Sequence, residues 1–304
     1  MKKTLLTLAA LACATIMSAQ SLFVGTYNLR QKNSDDSIEG NVWGTRAKMI
    51  AEQINFYEPD IFGTQELFYG QLQDIKRQLP DYTYIGVARE DGKKEGEHSA
   101  IFYNKTRFEL LKSGNFWISQ TPDVAGSMGW DAACTRICTW GQFSDRKSGF
   151  KFYYFNVHLD HVGVTARREG MKLVLSKMKE VAGENGAAIL TGDFNVSQKE
   201  EAYDVVVSSG LLKDTYVAAD YRFAPNGTFN DFNPNRWTDE RIDHIFVTKK
   251  FNVRRYAVIT DSYWTPNTET SADDNASGKK KKEKYTRRNI SDHYPVFAKI
   301  TFNK

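Results

Sequence analysis

Apolar residues along the chain follow two periods, one typical of strands and the other typical of helices. Residues 21–28 alternate their side chains with a period of two, which predicts a strand. Residues 45–57 repeat apolar side chains at helical spacing until Pro59, and residues 166–182 form a longer amphipathic stripe of the same kind. The same criteria predict further strands at 60–64, 82–87, 99–103, 135–143, 150–159, 187–192, 242–247, 253–259 and 294–302, and further helices at 67–79 and 200–208.

The order of these predicted elements indicates the fold class. The strand and helix order of the first half recurs from Phe150 onward, which indicates an α/β fold of two similar layers packed together. No fixed-period repeat and no linker rich in proline or glycine divides the chain, so we expect one domain over residues 21–304. Residues 267–288 are polar and include the run Lys279–Lys282. We expect a solvated, mobile loop there, with a phosphate-binding finger as the alternative.

The first twenty residues have the three regions of a secretory signal peptide. A basic start is followed by an uncharged apolar stretch from Thr4 to Met17 and by small residues suited to cleavage after Ala19. We therefore expect residues 1–20 to be a signal peptide and the mature protein to be exported to the periplasm or the medium. Lipid attachment at Cys13 is a minor alternative.

Composition and charge narrow the choice of function. Apolar residues make up 41% and charged residues 26% of the chain, which excludes disorder, collagen and coiled coil as descriptions of the whole. The net charge is +4, and removal of Lys2 and Lys3 with the signal peptide leaves +2. This balance argues mildly against tight polynucleotide binding. No segment beyond the signal peptide approaches 18 apolar residues, so we expect a soluble mature protein.

Cys134 and Cys138 are the two cysteines beyond the signal peptide. On a strand their Cα atoms would be roughly 13 Å apart, too far for a disulfide. Two cysteines without histidine neighbours also make a poor zinc site. We expect two free thiols.

Polar side chains recur where predicted strands begin or end. Each one alone has an ordinary explanation as a cap, a turn residue or a buried structural histidine. As a set they indicate convergence on one cleft, because ligands of α/β sheets bind where strand ends meet loops. The set comprises Asn28, Glu66, His158, Asp193, Asn195, Asp243, His244, Asp292 and His293.

This set of residues suits phosphoester hydrolysis. Glu66, Asp292 and Asn28 offer the oxygen ligands that a hard cation such as Mg²⁺ takes. Asp193 together with Asn195 could activate and orient a water molecule.

Charge that develops on phosphorus needs hydrogen-bond donors, for which His158, His293 and Arg136 are candidates. Asp243 could accept a hydrogen bond from His293, which would fix the tautomer of the imidazole and favour its protonated form.

The ordered motifs of the chain resemble those of the endonuclease/exonuclease/phosphatase superfamily, which includes pancreatic deoxyribonuclease, bacterial sphingomyelinases and inositol-polyphosphate phosphatases. The resemblance runs from about Leu22 to Phe302 and is specific for the superfamily but not for a substrate. It rests on Asn28, Gln65-Glu66, Asn156-Val157-His158-Leu159, Gly192-Asp193-Phe194-Asn195, Arg241-Ile242-Asp243-His244-Ile245-Phe246 and Ser291-Asp292-His293-Tyr294-Pro295.

The resemblance implies a four-layer α/β/β/α sandwich of two mixed sheets flanked by helices, with the site at one edge of the sheets. It implies that Glu66 and Asn28 bind a divalent metal, with Asp292 as a further ligand. We expect Mg²⁺, with Mn²⁺ as a possible substitute.

The same resemblance implies roles for the remaining polar residues. Asp193 and Asn195 would position or activate water and hold the phosphate. His293 would pair with Asp243, and His158 would contact the phosphate or assist the leaving group.

Two arginines are further candidates for substrate contacts. The segments around Trp130, Arg136 and Gly163–Arg168 resemble exported or uncharacterised hydrolase members of the superfamily rather than its repair nucleases. We therefore add Arg136 and Arg167 as candidate phosphate-binding residues. A salt bridge on an exposed helix would explain Arg167 equally well.

The substrate stays open at this point. The favoured hypothesis is a secreted, divalent-metal-dependent phosphoesterase that acts on a phosphodiester or a phosphomonoester. A nuclease acting on DNA or RNA, a sphingomyelinase-like phospholipase and a non-catalytic polyphosphate-binding module are the alternatives. We expect a monomer without a stable protein partner.

Overall fold

The computed structural model describes residues 20–223, 226–267 and 284–302. The predicted signal peptide, apart from Gln20, and the run Lys279–Lys282 lie outside these residues. The strands are β1 (Gln20–Asn28), β2 (Ile61–Gln65), β3 (Leu67–Phe68), β4 (Tyr82–Ile85), β5 (Glu97–His98), β6 (Ile101–Asn104), β7 (Phe108–Trp117), β8 (Ile137–Asp145), β9 (Lys151–His158), β10 (Ala188–Asp193), β11 (Leu212–Asp214), β12 (Tyr221–Phe223), β13 (Asp243–Thr248), β14 (Phe251–Val258), β15 (Ser262–Pro266), β16 (Tyr285–Asn289) and β17 (Val296–Phe302). The helices are α1 (Ser34–Ile38), α2 (Trp43–Tyr57), α3 (Tyr69–Gln78), α4 (Val164–Ala182), α5 (Glu201–Ser208) and α6 (Thr215–Ala218).

Two large mixed sheets form the centre of the molecule. One has seven strands in the order β12-β14-β17-β1-β2-β6-β4, and the other has six in the order β11-β13-β10-β9-β8-β7. In each sheet one central pair is parallel, β1 with β2 and β9 with β10, and antiparallel strands flank that pair. The expected similarity of the two layers is therefore confirmed in their central strands.

The inner faces of the two sheets pack against each other. Leu22 and Val24 of β1 are fully buried in this core with Tyr154 of β9 and Ile245 of β13. The Tyr154 hydroxyl donates a hydrogen bond of 2.6 Å to the carbonyl oxygen of Gly25 in the opposite sheet. Apolar burial holds the layers together, and this hydrogen bond satisfies a polar group that would be costly to bury alone.

Helices cover both outer faces. Ile50 and Ile54 of α2 and Leu72 of α3 are buried against the seven-stranded sheet. Met171 and Val174 of α4 are buried against the six-stranded sheet. The predicted four-layer α/β/β/α sandwich is confirmed. No helix in the described part of the chain is both long and apolar enough to span a bilayer.

Three local features differ from or refine the predictions. Strand β7 occupies Phe108–Trp117, where no element was predicted. Tyr285–Asn289 form β16, which pairs with β15, so the predicted loop at 267–288 is wrong for its last residues. Cys138 is buried, Cys134 is half-buried, and both are free thiols as expected.

The strand directions bring the polar strand ends to one edge of the sandwich. Asn28 ends β1 beside Gln65 at the end of β2. In the other sheet Asp193 at the end of β10 lies between His158 on β9 and Asp243 on β13. Carboxyl ends of parallel strands share one edge, and an antiparallel neighbour begins there.

Candidate active site

Asn28 links the two carboxylates at the centre of the site. Its Nδ2 atom lies 2.9 Å from Glu66 Oε1 and 2.9 Å from Asp193 Oδ2. Asn28 ends β1 and Glu66 directly follows β2, both strands of the seven-stranded sheet, while Asp193 ends β10 of the six-stranded sheet. One amide group therefore donates to a carboxylate of each layer, which fixes the separation of the two carboxylates.

His293 and Asp243 form the predicted pair. His293 Nδ1 lies 2.8 Å from Asp243 Oδ2, and His293 Nε2 lies 3.7 Å from Asp193 Oδ2. Burial disfavours the charged imidazole, but the negative charges of Asp243 and Asp193 outweigh it and raise the pKa of His293 well above its usual range. A cationic imidazole therefore points its Nε2–H group toward the centre of the site.

Asp292 lies on the other flank of Glu66, and Arg30 stands between them. Arg30 Nη1 is 3.5 Å from Asp292 Oδ2 and 4.0 Å from Glu66 Oε2, while Arg30 Nε is 3.0 Å from Asp36 Oδ2. Burial, aided by the charge of Glu66, raises the pKa of Asp292 to about 6. Arg30 was not predicted from the sequence, because no pattern marks a cation two residues after a strand.

The donor set at the centre fits a divalent cation. Carboxylate oxygens of Glu66 and Asp193 lie within 4.8 Å of each other and of a ring nitrogen of His293. Burial and the neighbouring Asp243 raise the pKa of Asp193 to about 7, which shows an acidic cluster with too little compensating charge. Carboxylate oxygens are the ligands preferred by Mg²⁺, and a bound cation would relieve the crowding.

The predicted ligands Asn28, Glu66 and Asp292 are all brought to this cluster, but Asn28 has other contacts besides. Its Oδ1 atom accepts a hydrogen bond of 3.0 Å from the backbone N–H of Arg30. One lone pair of that oxygen stays available for a cation. Asp193 and His293, predicted for water activation and phosphate binding, lie within 4.8 Å of Glu66.

His158 lies beside Asp193 in the six-stranded sheet, and its imidazole lies between Asp193 and Glu97. His158 Nε2 is 3.6 Å from Asp193 Oδ2, and His158 Nδ1 is 3.7 Å from Glu97 Oε2. Arg89 Nη1 in turn donates to Glu97 Oε2 at 2.6 Å. Burial and the positive charges of Arg136 and Arg89 hold the pKa of His158 well below its usual range, so its imidazole is neutral.

Glu97 and Arg89 were not predicted from the sequence. Glu97 is an acid at the start of a strand, as Asp243 is, but the strand has to be recognised before this criterion applies. Its strand β5 has two residues, too few for a recognisable alternation.

Arg136 reaches this side of the site and Arg167 does not join it. Arg136 Nε is 3.3 Å from Asp160 Oδ2, and its buried Nη1 atom has no hydrogen-bond partner in the described chain. Arg167 Nη1 donates to the carbonyl oxygen of Asp160 at 3.2 Å, and Arg167 Nη2 lies 3.8 Å from Glu200. We retain Arg136 as a candidate substrate contact, while the contacts of Arg167 favour the structural salt bridge.

Asn195 and His244 have structural contacts. The backbone N–H of Asn195 donates to Asp193 Oδ1 at 2.9 Å, and its side chain donates to the carbonyl oxygen of Leu159 at 3.0 Å. Asn195 thereby orients Asp193. His244 is buried with Nε2 at 2.9 Å from the carbonyl oxygen of Val196, as a structural histidine would be.

Three residues at the site have left-handed backbone conformations. The φ angles are +55° for Arg30, +68° for Glu66 and +49° for Asn195. Such conformations are costly for residues with side chains and are concentrated at functional sites. Each turns the chain sharply just after a strand. The turns at Arg30 and Glu66 direct their side chains into the site, and the turn at Asn195 directs its backbone N–H to Asp193.

A buried polar network supports the cluster from beneath. Asn156 Nδ2 donates to the carbonyl oxygens of Thr64 at 2.9 Å and Ala100 at 3.1 Å. Asn156 Oδ1 accepts from Gln65 Nε2 at 2.8 Å and from Thr191 Oγ1 at 3.1 Å. The side-chain amide of Asn156 is fully satisfied and fixes β9 against β2 of the opposite sheet.

The fold and the site together define a hydrolase of phosphoester bonds with a candidate metal centre. The chain matches the family model of the Endonuclease/Exonuclease/phosphatase family over residues 25–293, and it belongs to that family. Members of this family hydrolyse phosphoester bonds and typically depend on a divalent metal.

Three similar proteins illustrate the range of the family. A family member from Bacteroides thetaiotaomicron is 49% identical, with a TM-score of 0.87 over 94% of this chain and 99% of that one. A mannosyl-6-phosphatase from the same organism is 50% identical, with a TM-score of 0.86 over 92% of this chain and 100% of that one. Human tyrosyl-DNA phosphodiesterase 2 is 27% identical over 167 residues, which are 54% of this chain and 41% of that protein.

Proposed function

We propose that the protein is an exported, divalent-metal-dependent phosphatase that removes phosphate from a sugar phosphate such as mannose 6-phosphate. The observation that carries this proposal is the cluster of Glu66, Asp193 and His293, with His293 paired to Asp243. The mannosyl-6-phosphatase that is 50% identical over 92% of the chain supports the sugar phosphate as substrate.

Glu66, Asp292 and Asn28 are the residues proposed to hold the cation, Mg²⁺ or alternatively Mn²⁺. When bound, such a cation polarises a phosphoryl oxygen and offsets the charge that develops in the transition state. Arg30 keeps Glu66 and Asp292 close together through its contacts with both.

Asp193 is the proposed acceptor of a proton from the attacking water. Its raised pKa, about 7, matches that role near neutral pH. Asn195 holds one carboxylate oxygen through its backbone N–H at 2.9 Å. The other oxygen lies near Asn28, His158 and His293 and faces the centre of the site.

The histidines and Arg136 are the proposed donors to the phosphate. The cationic His293 would donate from Nε2 to a phosphoryl oxygen or to the departing sugar oxygen. The neutral His158 would donate one hydrogen bond to the phosphate, next to Nη1 of Arg136, which has no hydrogen-bond partner among the described residues. A buried guanidinium N–H without an acceptor is costly, and a phosphate oxygen would satisfy it.

Export and quaternary state belong to the same proposal. The signal peptide predicted at residues 1–20 supports transfer to the periplasm or the medium. We propose a monomer that needs no protein partner, because each proposed catalytic and metal-binding residue comes from the same chain.

Phosphate release from the mature protein tests the proposal. Mannose 6-phosphate, glucose 6-phosphate and mannose 1-phosphate would be compared with bis-p-nitrophenyl phosphate, plasmid DNA, RNA and sphingomyelin vesicles, each with Mg²⁺, Mn²⁺ or EDTA. We expect Mg²⁺-dependent release from sugar 6-phosphates and little cleavage of diesters.

Other outcomes of this panel would identify the alternatives. Preferential cleavage of nucleic acid would favour the phosphodiesterase function named for tyrosyl-DNA phosphodiesterase 2. Hydrolysis confined to sphingomyelin would favour a phospholipase, and binding of phosphates without turnover would favour a non-catalytic module. The amino-terminal sequence of protein recovered from the periplasm or medium tests cleavage after Ala19.

A further inference from the structure

A second group of potential ligand atoms lies beside the active site. Cys134, Asp160 and His161 each bring one such atom, and these atoms lie within 4.8 Å of one another. Arg136 lies among them, with Nε at 3.3 Å from Asp160 Oδ2 and Nη2 at 2.9 Å from His161 Nδ1. The guanidinium of Arg136 already binds the carboxylate of Asp160 and the Nδ1 atom of His161, so this group of residues is not suited to a metal ion.

Asp160 is fully engaged as an anchor for the two loops that meet here. Its Oδ1 atom accepts from the backbone N–H groups of Val162 at 2.9 Å and Gly163 at 2.7 Å. Its Oδ2 atom accepts from the N–H of Ala133 at 3.1 Å as well as from Arg136. These contacts hold the loop before β8 against the loop after β9, and they fix the position of Arg136.

The contact with Arg136 determines the tautomer of His161. A guanidinium only donates hydrogen bonds, so His161 Nδ1 must accept and the proton of the neutral ring must be on Nε2. His161 is exposed, and its Nε2 has no partner within the described part of the chain. The structure therefore presents one oriented N–H donor to solvent.

His161 lies close to the proposed phosphate position. Two residues separate it from His158, so their Cα atoms are at most about 11 Å apart. The intervening Leu159 is fixed by hydrogen bonds from its N–H to the Asp193 carbonyl at 2.9 Å and from Asn195 to its own carbonyl at 3.0 Å. A hexose attached to the phosphate extends several ångström beyond phosphorus and can reach this donor.

We propose that His161 binds a hydroxyl group of the sugar through Nε2–H and that Arg136 and Asp160 position it for this contact. His161 is then a specificity-determining residue on the leaving-group side, while Arg136 contributes to phosphate binding. This inference rests on the proposed function, because it requires a sugar phosphate as the substrate.

Steady-state kinetics on two substrates test the proposal. Mannose 6-phosphate carries the sugar hydroxyls, and p-nitrophenyl phosphate lacks them. We expect His161→Ala to raise KM for mannose 6-phosphate by about tenfold, the loss of one hydrogen bond, and to leave its kcat nearly unchanged. Turnover of p-nitrophenyl phosphate should be unchanged. His161→Gln keeps an N–H donor of similar reach and should recover part of the loss.

A matched control uses the next residue of the same loop. Val162 is 59% exposed and has no polar side-chain atom. Val162→Ala should therefore leave KM unchanged for both mannose 6-phosphate and p-nitrophenyl phosphate. Equal effects of His161→Ala on both substrates, or an unchanged KM for mannose 6-phosphate, would overturn the inference and leave the proposed function intact. Wild-type protein that hydrolyses no sugar phosphate would overturn both.

A second measurement does not depend on turnover. Nitrogen-15 NMR of the imidazole side chains should show a His161 ring protonated at Nε2 and unprotonated at Nδ1. Addition of mannose alone should shift the Nε2 resonance in wild-type protein. A ring protonated at Nδ1 would contradict the assignment. So would an Nε2 resonance that does not shift at mannose concentrations high enough to inhibit turnover fully.

Discussion

The Nδ2 atom of Asn28 lies 2.9 Å from Oδ2 of Asp193, although the two residues end strands of different sheets. The same nitrogen donates to Glu66. The buried carboxylate of Asp193 and the half-buried carboxylate of Glu66 thus share one neutral donor, and the spacing of the site depends on it.

Replacement of this donor should have a large effect. Asn28→Asp removes both hydrogen bonds and places a third carboxylate between Glu66 and Asp193, so we expect kcat/KM to fall by about a hundredfold or more. Asn55→Asp, on the exposed side of α2, serves as the control and should keep the wild-type rate. Normal activity of Asn28→Asp would contradict the proposed geometry.

The proposed catalytic residues can be tested singly. Glu66→Ala, Asp193→Ala and His293→Ala should each lower kcat/KM by about a hundredfold or more, the scale of one catalytic group. Circular dichroism would confirm that each variant is folded. A folded variant with the wild-type rate would remove that residue from the proposed machinery.

Metal binding should be visible in stability as well as in activity. A ligand that binds the native state alone raises Tm by mass action, so Mg²⁺ should raise Tm of the wild-type protein and EDTA should reverse the shift. Glu66→Ala should abolish the response. Glu52→Ala removes an exposed acid of α2 and should respond like the wild type. An identical shift in both variants would indicate that Mg²⁺ binds elsewhere.

The two sheets approach each other closely at Gly63, so alanine should be destabilising there but not at Gly70, where there is open space. A Cβ atom on Gly63 would overlap the side-chain amide of Asn156, so Gly63→Ala should lower the free energy of unfolding by about 1–3 kcal/mol. Gly70, in α3, has open space at the same position. Gly70→Ala should be neutral or slightly stabilising. Urea denaturation of both variants makes the comparison, and equal stabilities would refute it.

Asp160 predicts a pH-dependent stability. Burial opposes its ionisation, but the N–H groups of Gly163, Val162 and Ala133 and the charge of Arg136 outweigh burial and hold its pKa well below the usual range. A lowered folded-state pKa stabilises the protein above the unfolded value of about 3.9, and this contribution is lost as the pH falls through the folded value.

The measurement is urea denaturation of wild type and Asp160→Asn at pH 7, 5 and 3. We expect the variant to be less stable by about 1–3 kcal/mol at pH 7 and pH 5, and the difference to narrow at pH 3. Asp220→Asn removes half of an exposed ion pair with Arg254 and should change stability by less than about 1 kcal/mol. A constant difference across the three pH values would contradict the expected linkage.

Much of the fold could be predicted because its central elements are strongly periodic. Helix α4 and the strands that end at Asn28 and Asp193 bury one or both faces in the core. The apolar residues in their sequences therefore follow the period of the helix or strand. The polar residues at the ends of these strands interrupt apolar runs, so they could be recognised as a set before any geometry was known.

The elements that were not predicted lack a clear contrast between a buried apolar face and an exposed polar face. Strand β7 lies at the edge of its sheet, and most of its central positions are exposed or half-buried. Among the described strands, β15 and β16 pair only with each other, and they bury little apolar surface. Arg30 could not be predicted for a different reason, since its role depends on a left-handed turn and on a contact with Asp292, which is distant in the sequence.

The position of β17 has a consequence for the order in which the molecule assembles. This strand is inserted between β14 and β1, so the first strand of the chain gains its antiparallel neighbour from the last one. Pairing of β1 with β17 closes a loop of almost the whole chain, which costs conformational entropy and slows folding. During synthesis β1 therefore keeps an open edge until Phe302 is available, and Asn28 meets His293 only at that late stage. A growing chain that already contains Glu66, Asp193 and Asp243 still lacks Asp292 and His293, so its site is complete only when the whole domain has formed.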